Sequence, residues 1–208
     1  MTTSKIIIQQ GSSSLRALAN NGYQLHVAKS VSGPSGTPSF NMVYQSQSIS
    51  PNIEIQWTAT YGLNWTTSVS APGAQVTISG NWQQCNLGDS YDLDSSGEWV
   101  ADQSNPSAKS NSLNVGKNGF QEPVNIIIGV HKIWVSPDQL LKQANGDYEP
   151  HQAIQMWYAE GSQTSTIISE QATPVEEYNE TSSDPEYFSY DVESGRWTES
   201  KTPFRDLN

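Results

Sequence analysis

Cysteine is nearly missing from this chain. Cys85 is the one thiol in 208 residues, so an intramolecular disulfide is impossible. A catalytic thiolate needs a basic neighbour, and Gln83, Gln84 and Asn86 supply none, so Cys85 reads as a small buried hydrophobe. A chain of this length buries enough surface to fold without a staple, and one domain spanning residues 1–208 is expected.

Charge is also scarce. Asp, Glu, Lys and Arg make up 15% of the residues, and the balance is −11. Residues 1–50 hold no acid at all, and the acidic residues gather further on. Nucleic acids and anionic membranes both call for a basic surface, so neither is an expected partner. Long apolar runs are absent too. The longest, residues 124–135 (VNIIIGVHKIWV), falls short of the ~20 residues a membrane helix needs. Lys5 is followed by only three isoleucines before Gln9, too few for a secretory leader. The expected location is the cytoplasm, or the exterior by a route that uses no signal peptide.

The common catalytic signatures are missing as well. There is no nucleophile elbow, zinc-binding H-E-x-x-H, C-x-x-C or phosphate-cradling glycine loop. His26, His131 and His151 are far apart, with no acidic residue at metal-ligand spacing. His26 falls on the polar phase of its segment and reads as solvated. Two glycosylation-type triplets, at Asn64 and Asn179, carry no weight in the cytosol.

What the chain does have is alternation. Residues 53–61 (IEIQWTATY) place Ile53, Ile55, Trp57, Ala59 and Tyr61 on one face and polar residues on the other. That period of two marks a half-buried strand. A sheet face carrying Trp57 and Tyr61 needs a second layer, so the expected class is all-β: an antiparallel β-sandwich or flattened barrel. Further strands are expected at 5–9, 23–28, 40–44, 75–79, 154–158 and from 166. Residues 124–135 should bend at Gly129.

Two short helices are predicted. One covers 15–19 behind a serine cap. The other starts at Ser136-Pro137-Asp138-Gln139, a serine cap with proline at the first helical position, and ends at Asn145-Gly146. The aromatics Tyr187, Phe188, Tyr190 and Trp197 argue against a disordered tail, and 186–198 reads as a docked hairpin. Residues 91–99 (YDLDSSGEW) echo 190–197 (YDVESGRW), two hairpins of one type.

From 80 to 123 the pattern dissolves into Gly, Asn, Ser and Asp. A long irregular excursion from a compact domain often carries function. Asp92-x-Asp94-x-Ser96-Gly97 copies the first half of a calcium loop, making Asp92, Asp94 and Ser96 the candidate metal ligands. The twelfth position is Gln103 rather than a bidentate glutamate, and the plain alternative is a solvated turn. Apart from calcium there, no cofactor is expected. Seven tryptophans accompany the asparagine-rich polarity. A flat ring beside fixed neutral polar groups suits a sugar. Trp82 and Trp99 would stack on it, and Asn86 and Asp89 would orient it.

The leading expectation is a non-enzymatic, lectin-like binder of a neutral glycan or other small polar ligand. A structural, storage or self-assembling protein, forming a homo-oligomer through its low-charge surface, is the second. An enzyme using a carboxylate pair drawn from Glu54, Glu98, Glu122, Glu149 and Glu160 is the third.

Overall fold

Alternation becomes structure most plainly at Asn52–Thr58, where Ile53, Ile55 and Trp57 are buried and the residues between them are exposed. The computed structural model describes residues 3–58, 60–68, 71–129, 133–161, 164–169, 171–179, 185–205 and 207. Strand β1 (Thr3–Gln9) leads into helix α1 (Ser12–Asn20) and the long β2 (Tyr23–Ser32). Two short strands follow, β3 (Pro38–Ser39) and β4 (Gln45–Gln47), before β5 (Asn52–Thr58) and β6 (Tyr61–Thr66). Next come β7 (Gln83–Cys85), β8 (Ser90–Leu93), β9 (Trp99–Ala101) and β10 (Leu113–Asn118). The chain continues through β11 (Val124–Gly129), β12 (Ile133–Leu140) and β13 (Gly146–Glu160). It ends with β14 (Glu176–Asn179), β15 (Glu186–Asp191) and β16 (Arg196–Ser200).

These strands form three sheets of an all-β sandwich that does not close into a barrel. The first runs β16-β15-β1-β5 and the third β12-β11-β6-β7. The second runs β3-β2-β13-β10-β8-β9, with β14 also on β13 and β4 on β2. Pairing is mostly antiparallel, but β1 with β15 and β8 with β10 are parallel. The 53–61 stretch is not one strand. It breaks after Thr58, where the Thr60 N–H donates to the Thr58 carbonyl (2.8 Å), and Tyr61 opens β6 in another sheet. Ala59 lies outside the described residues.

One apolar cluster joins all three sheets, including Ile6, Ile55, Leu63, Ile127, Met156 and Phe188. Tyr158 of β13 meets the first sheet, stacking on Trp197 at 5.6 Å and tilting against Tyr190. Lys29 reaches into this interior. Its ammonium sits 5.0 Å from the Trp57 ring and 5.6 Å from the Tyr44 ring, close enough for cation–π attraction to offset part of its desolvation.

β2 and β13 are covered on their other face as well. Ala28, Val43, Trp157 and Ala159 form a second cluster under Phe40, Ile168 and Val175. That second cover corrects the reading of His26. Its ring is buried against Trp157, 5.6 Å between centroids, and burial holds its pKa below the usual value. His131 lies outside the described residues.

Several expected elements change. The helix predicted from Ser136 does not form. Those residues belong to β12, with Gln139 opposite Asn125 and Leu140 opposite Val124. A local capping signal loses here to pairing with the fully buried β11, and β12 is an edge strand, where Pro137 costs no ladder bond that a neighbour needs. The bend at Gly129 is present, at a φ of 117° that favours glycine. Residues 40–44 and 75–79 form no strand. Met42 and Gln75 make only isolated bridges, to Ile167 and Thr166, so the strand expected from 166 is also reduced to single bridges. Helix α1 forms, but without the serine cap: Gly11 occupies the N-cap and makes no side-chain bond.

Trp65 of β6 pins the irregular segment to this framework. Its indole N–H donates to the Gly97 carbonyl (3.0 Å), and its ring lies 4.5 Å from that of Phe120. Gly97 has φ 87°, and a Cβ there would lie 2.6 Å from the Trp65 ring. We expect Trp65→Ala to lower the free energy of unfolding by about 3–5 kcal/mol, as for other buried large-to-small changes, measured by urea denaturation.

Candidate functional site

Residues 80–123 are built from turns closed by their own side chains. Asp102 Oδ1 accepts from the Ser104 N–H and hydroxyl, both at 3.0 Å. Asn105 Oδ1 accepts from the Ser107 N–H at 2.9 Å. Buried Asn114 completes the loop. Its carbonyl accepts from the Lys109 N–H (2.8 Å), and its amide donates to the carbonyls of Lys109, Ser112 and Asp89 at 3.0–3.1 Å. Short side-chain-to-backbone bonds of this kind are what Asn, Asp and Ser make in place of a ladder.

The Lys109 ammonium then reaches across to Asp147 at the start of β13, 2.7 Å from Oδ2. That hydrogen bond raises the Lys109 pKa, and the Asp147 charge adds to it. Between the loop and the turn from β12 to β13 lies a cavity of about 210 Å³. Asn105 and Ser107 line it on the loop side, Asn145, Gly146 and Asp147 on the turn side, with Pro34, Asn114 and Val115 closing it. Three polar side chains belong to that lining beside the asparagines already engaged: the Asn145 amide, the Ser107 hydroxyl and the Asp147 carboxylate, whose Oδ2 holds Lys109. Chemically they amount to a small neutral donor–acceptor set plus one charge-assisted acceptor. A second opening, a shallow groove of about 400 Å³ beside Phe40, Ile167 and Ile168, lies open to solvent over the smaller apolar cluster.

The residues singled out from sequence sit elsewhere in the segment. Trp82 and Trp99 are half-buried and pack against the main cluster. The Asn81 amide donates to the Glu98 carboxylate at 3.1 Å, which ties the two tryptophan-bearing segments together. Asn86 and Asp89 bond each other, the Asn86 N–H lying 2.8 Å from Asp89 Oδ2, and so close the turn between β7 and β8. None of these four residues lines the cavity. The residues that do line it have the look of punctuation in the sequence. Asn105-Pro106-Ser107 reads as loop, and Asn145-Gly146 as the end of a helix that is not there.

Asp92 and Asp94 are drawn to different tasks. Asp94 Oδ1 already accepts from the Ser96 N–H (2.8 Å), the Ser96 hydroxyl (2.7 Å) and the Glu98 N–H (3.0 Å). Those bonds, the Ser96 hydroxyl first, hold its pKa below the usual value. Asp92 instead faces Asp102 over Gly116. A Cβ on Gly116 would lie 2.4 Å from Asp102 Oδ2 and 2.7 Å from Asp92 Oδ1. Burial, then the Asp102 charge, raise the Asp92 pKa. Among the described residues no three His, Cys, Asp or Glu side chains stand together as a metal site.

The acids considered for catalysis are partly engaged elsewhere: Glu54 by Lys5 at 2.5 Å and Glu98 by Asn81. Cys85 is buried, and burial, with the Asp89 charge behind it, pushes its pKa up to about 12. Such a thiol is not a nucleophile near neutral pH. Asn64, the first glycosylation-type asparagine, is fully buried and bonded to Gly80. Among the described residues no helix is long and apolar enough to cross a membrane. No family model, curated protein or solved structure matches this chain.

Two outcomes follow for this region. Calcium at millimolar concentration should leave the melting temperature unchanged, because the Asp94 oxygen is saturated by its own turn. Asn114→Ala leaves the Lys109 N–H without its acceptor, at about 1–3 kcal/mol, and removes the side-chain bonds to three carbonyls that keep only the backbone donors Ser112, Gly88 and residue 114. Trypsin cleavage after Lys109 should therefore quicken by at least about tenfold in that variant, read by gel or mass spectrometry.

Proposed function

We propose that the protein is a non-enzymatic binder of a small neutral polyhydroxyl ligand, a single sugar ring or the terminal ring of a glycan, held in the cavity between residues 102–112 and the Asn145-Gly146 turn. The observation that carries this reading is the cavity's chemistry: residues bearing an amide, a hydroxyl and a carboxylate line a space of about 210 Å³. Drug-sized sites run to roughly 300–1,000 Å³, so this one suits one ring rather than an extended ligand.

Each group has a natural counterpart on a sugar. The Asp147 carboxylate accepts from ring hydroxyls, and Lys109 fixes its direction through Oδ2. The Asn145 amide offers a donor and an acceptor to adjacent hydroxyls, and Ser107 adds a group that does either. Pro34 gives the ring apolar surface. An anionic ligand would meet the Asp147 charge, and a bulky apolar one would leave these groups unpaired.

Affinity should be low. At about 0.3 kcal/mol for each of roughly a dozen heavy atoms, a single ring reaches a Kd on the order of millimolar. A glycan array followed by calorimetry on the best ring is the test. Asp147→Asn and Asn145→Ala should each weaken binding about tenfold, the loss expected when one hydrogen bond to a charged or desolvated group goes. Asp89→Ala, outside the cavity, should change nothing. An array with no binder, or equal affinity in the cavity variants, defeats the reading.

A further inference from the structure

We propose that Glu186 and Glu199 share a proton, and that this carboxyl pair, anchored by Lys201, makes the docking of the β15–β16 hairpin depend on pH. The sequence marks the hairpin as docked by its aromatics, and nothing in the cavity reading uses these acids.

The argument begins with position. Glu186, Phe188 and Tyr190 alternate onto the buried face of β15, so a carboxylate stands in a row of core side chains. The Glu186 side chain is 1% exposed. Across the antiparallel ladder, Phe188 pairs with Glu199 and Tyr187 with Ser200, which brings Lys201 level with Glu186. The Lys201 ammonium forms an ion pair with Glu186 Oε1. The second oxygen, Oε2, is buried and has no hydrogen-bond partner among the described residues. The Glu199 carboxyl, diagonal to Glu186 across the ladder, and the Tyr178 hydroxyl also lie against the Glu186 carboxylate. Leaving a buried charged acceptor unpaired is costly. Glu199 relieves that cost only when it carries a proton and donates it.

The surrounding groups favour this arrangement. Glu176 comes from β14, where burial raises its own pKa, and Tyr178 is its neighbour on that strand. β1 contributes the uncharged Ile6 opposite Glu186, while Lys5 is paired with Glu54. Lys201 is the one cation facing the pair among the described residues, too few to neutralise two carboxylates with Glu176 nearby. Glu199 is largely solvent-exposed, so its proton exchanges freely.

The signs oppose each other. The hydrogen bond to Glu186, then burial and the Glu186 charge, raise the Glu199 pKa. Its contribution is complete below the ordinary glutamate value of 4.5 and lost as pH rises through the higher folded value. Burial pushes Glu186 up, but hydrogen bonds from Glu199, Lys201 and Tyr178 and the Lys201 charge outweigh it and leave it low. Its contribution is present above 4.5 and lost as pH falls through the lower folded value. The hairpin is therefore held best in a mildly acidic window and loosens on both sides of it.

Amide hydrogen exchange by NMR tests this on the full chain. Protection factors of the β16 amides should fall on the alkaline side by about tenfold for each unit by which the Glu199 pKa is raised. Amides of β11 should not follow. Glu199→Gln, whose carboxamide donates at every pH, should remove that alkaline loss. Glu186→Gln should remove the acidic one. Wild-type β16 protection that is flat with pH, or a Glu199→Gln profile superimposable on wild type, overturns the proposal. Ligand binding at the cavity is a separate measurement, so failure of either reading leaves the other standing.

Discussion

Three buried asparagine side chains do the work that a β-ladder does elsewhere in this molecule. Asn64 accepts from the N–H groups of Gly80 and Trp65 and donates to the Gly80 carbonyl. Asn114 closes the 109–114 loop on Asp89. Asn118 donates to the carbonyls of Glu122 and Leu140 and accepts from the Phe120 N–H. A buried backbone group must be paired, and a segment with few strands has few ladder partners. The amide carries two donors and an acceptor oxygen on one neutral side chain, so it can close a turn from both sides. Residues 80–123 pair through β7 to β10, and these contacts fix the turns beside those strands, including the loop that walls the cavity.

The walls stay rigid for a related reason. Trp65 projects from β6 of the third sheet yet donates to Gly97, at the turn between β8 and β9 of the second. One side chain thus joins two sheets through the irregular segment, and Phe120 packs on its face. Lys109 and Asp147 add a link on the exposed side. An exposed ion pair contributes little to stability, and its effect here is to tie the loop to Asp147 at the cavity lining. Preorganisation of that kind matters most for a weak, single-ring ligand, which has few contacts with which to order a mobile loop.

How much of this could be read from residues alone varies with the range of the physics involved. The β5 alternation, the bend at Gly129 and the all-β class depend on neighbours in sequence, and they are legible. His26 failed because its exposure is decided by Phe40, Ile168 and Val175, which cover the outer face of β2 and β13 from far along the chain. Ser136-Pro137 failed because a capping signal is local, whereas pairing with β11 is not. The site is harder to read for a subtler reason. Neutral polar residues look in sequence like surface for a ligand, and many of them bond the backbone. Asn86 and Asp89 look like ligand-orienting groups in one dimension and prove to be each other's partners in three. The groups that line the cavity, Asn145 and Ser107, sit in turn motifs that carry no mark of their own.

The same division explains where charge is placed. The chain closes the buried turns of its irregular segment with neutral amides, which bond the backbone with no net charge to desolvate, and keeps the carboxylates Asp89, Asp94 and Asp102 to exposed turns. It then puts a carboxylate on the buried face of β15, where an apolar residue would have packed alongside Phe188 at less cost. A buried ion is weak evidence for stability, since replacing it with a hydrophobe is often neutral or better. The hairpin has aromatic contacts enough to dock without it: Tyr190 and Trp197 on Tyr158, and Phe188 on Tyr178. What the carboxylate adds that an isoleucine would not is a dependence on protons. Alongside the buried Lys29, the interior has there a titratable group whose partner, Glu199, is open to solvent.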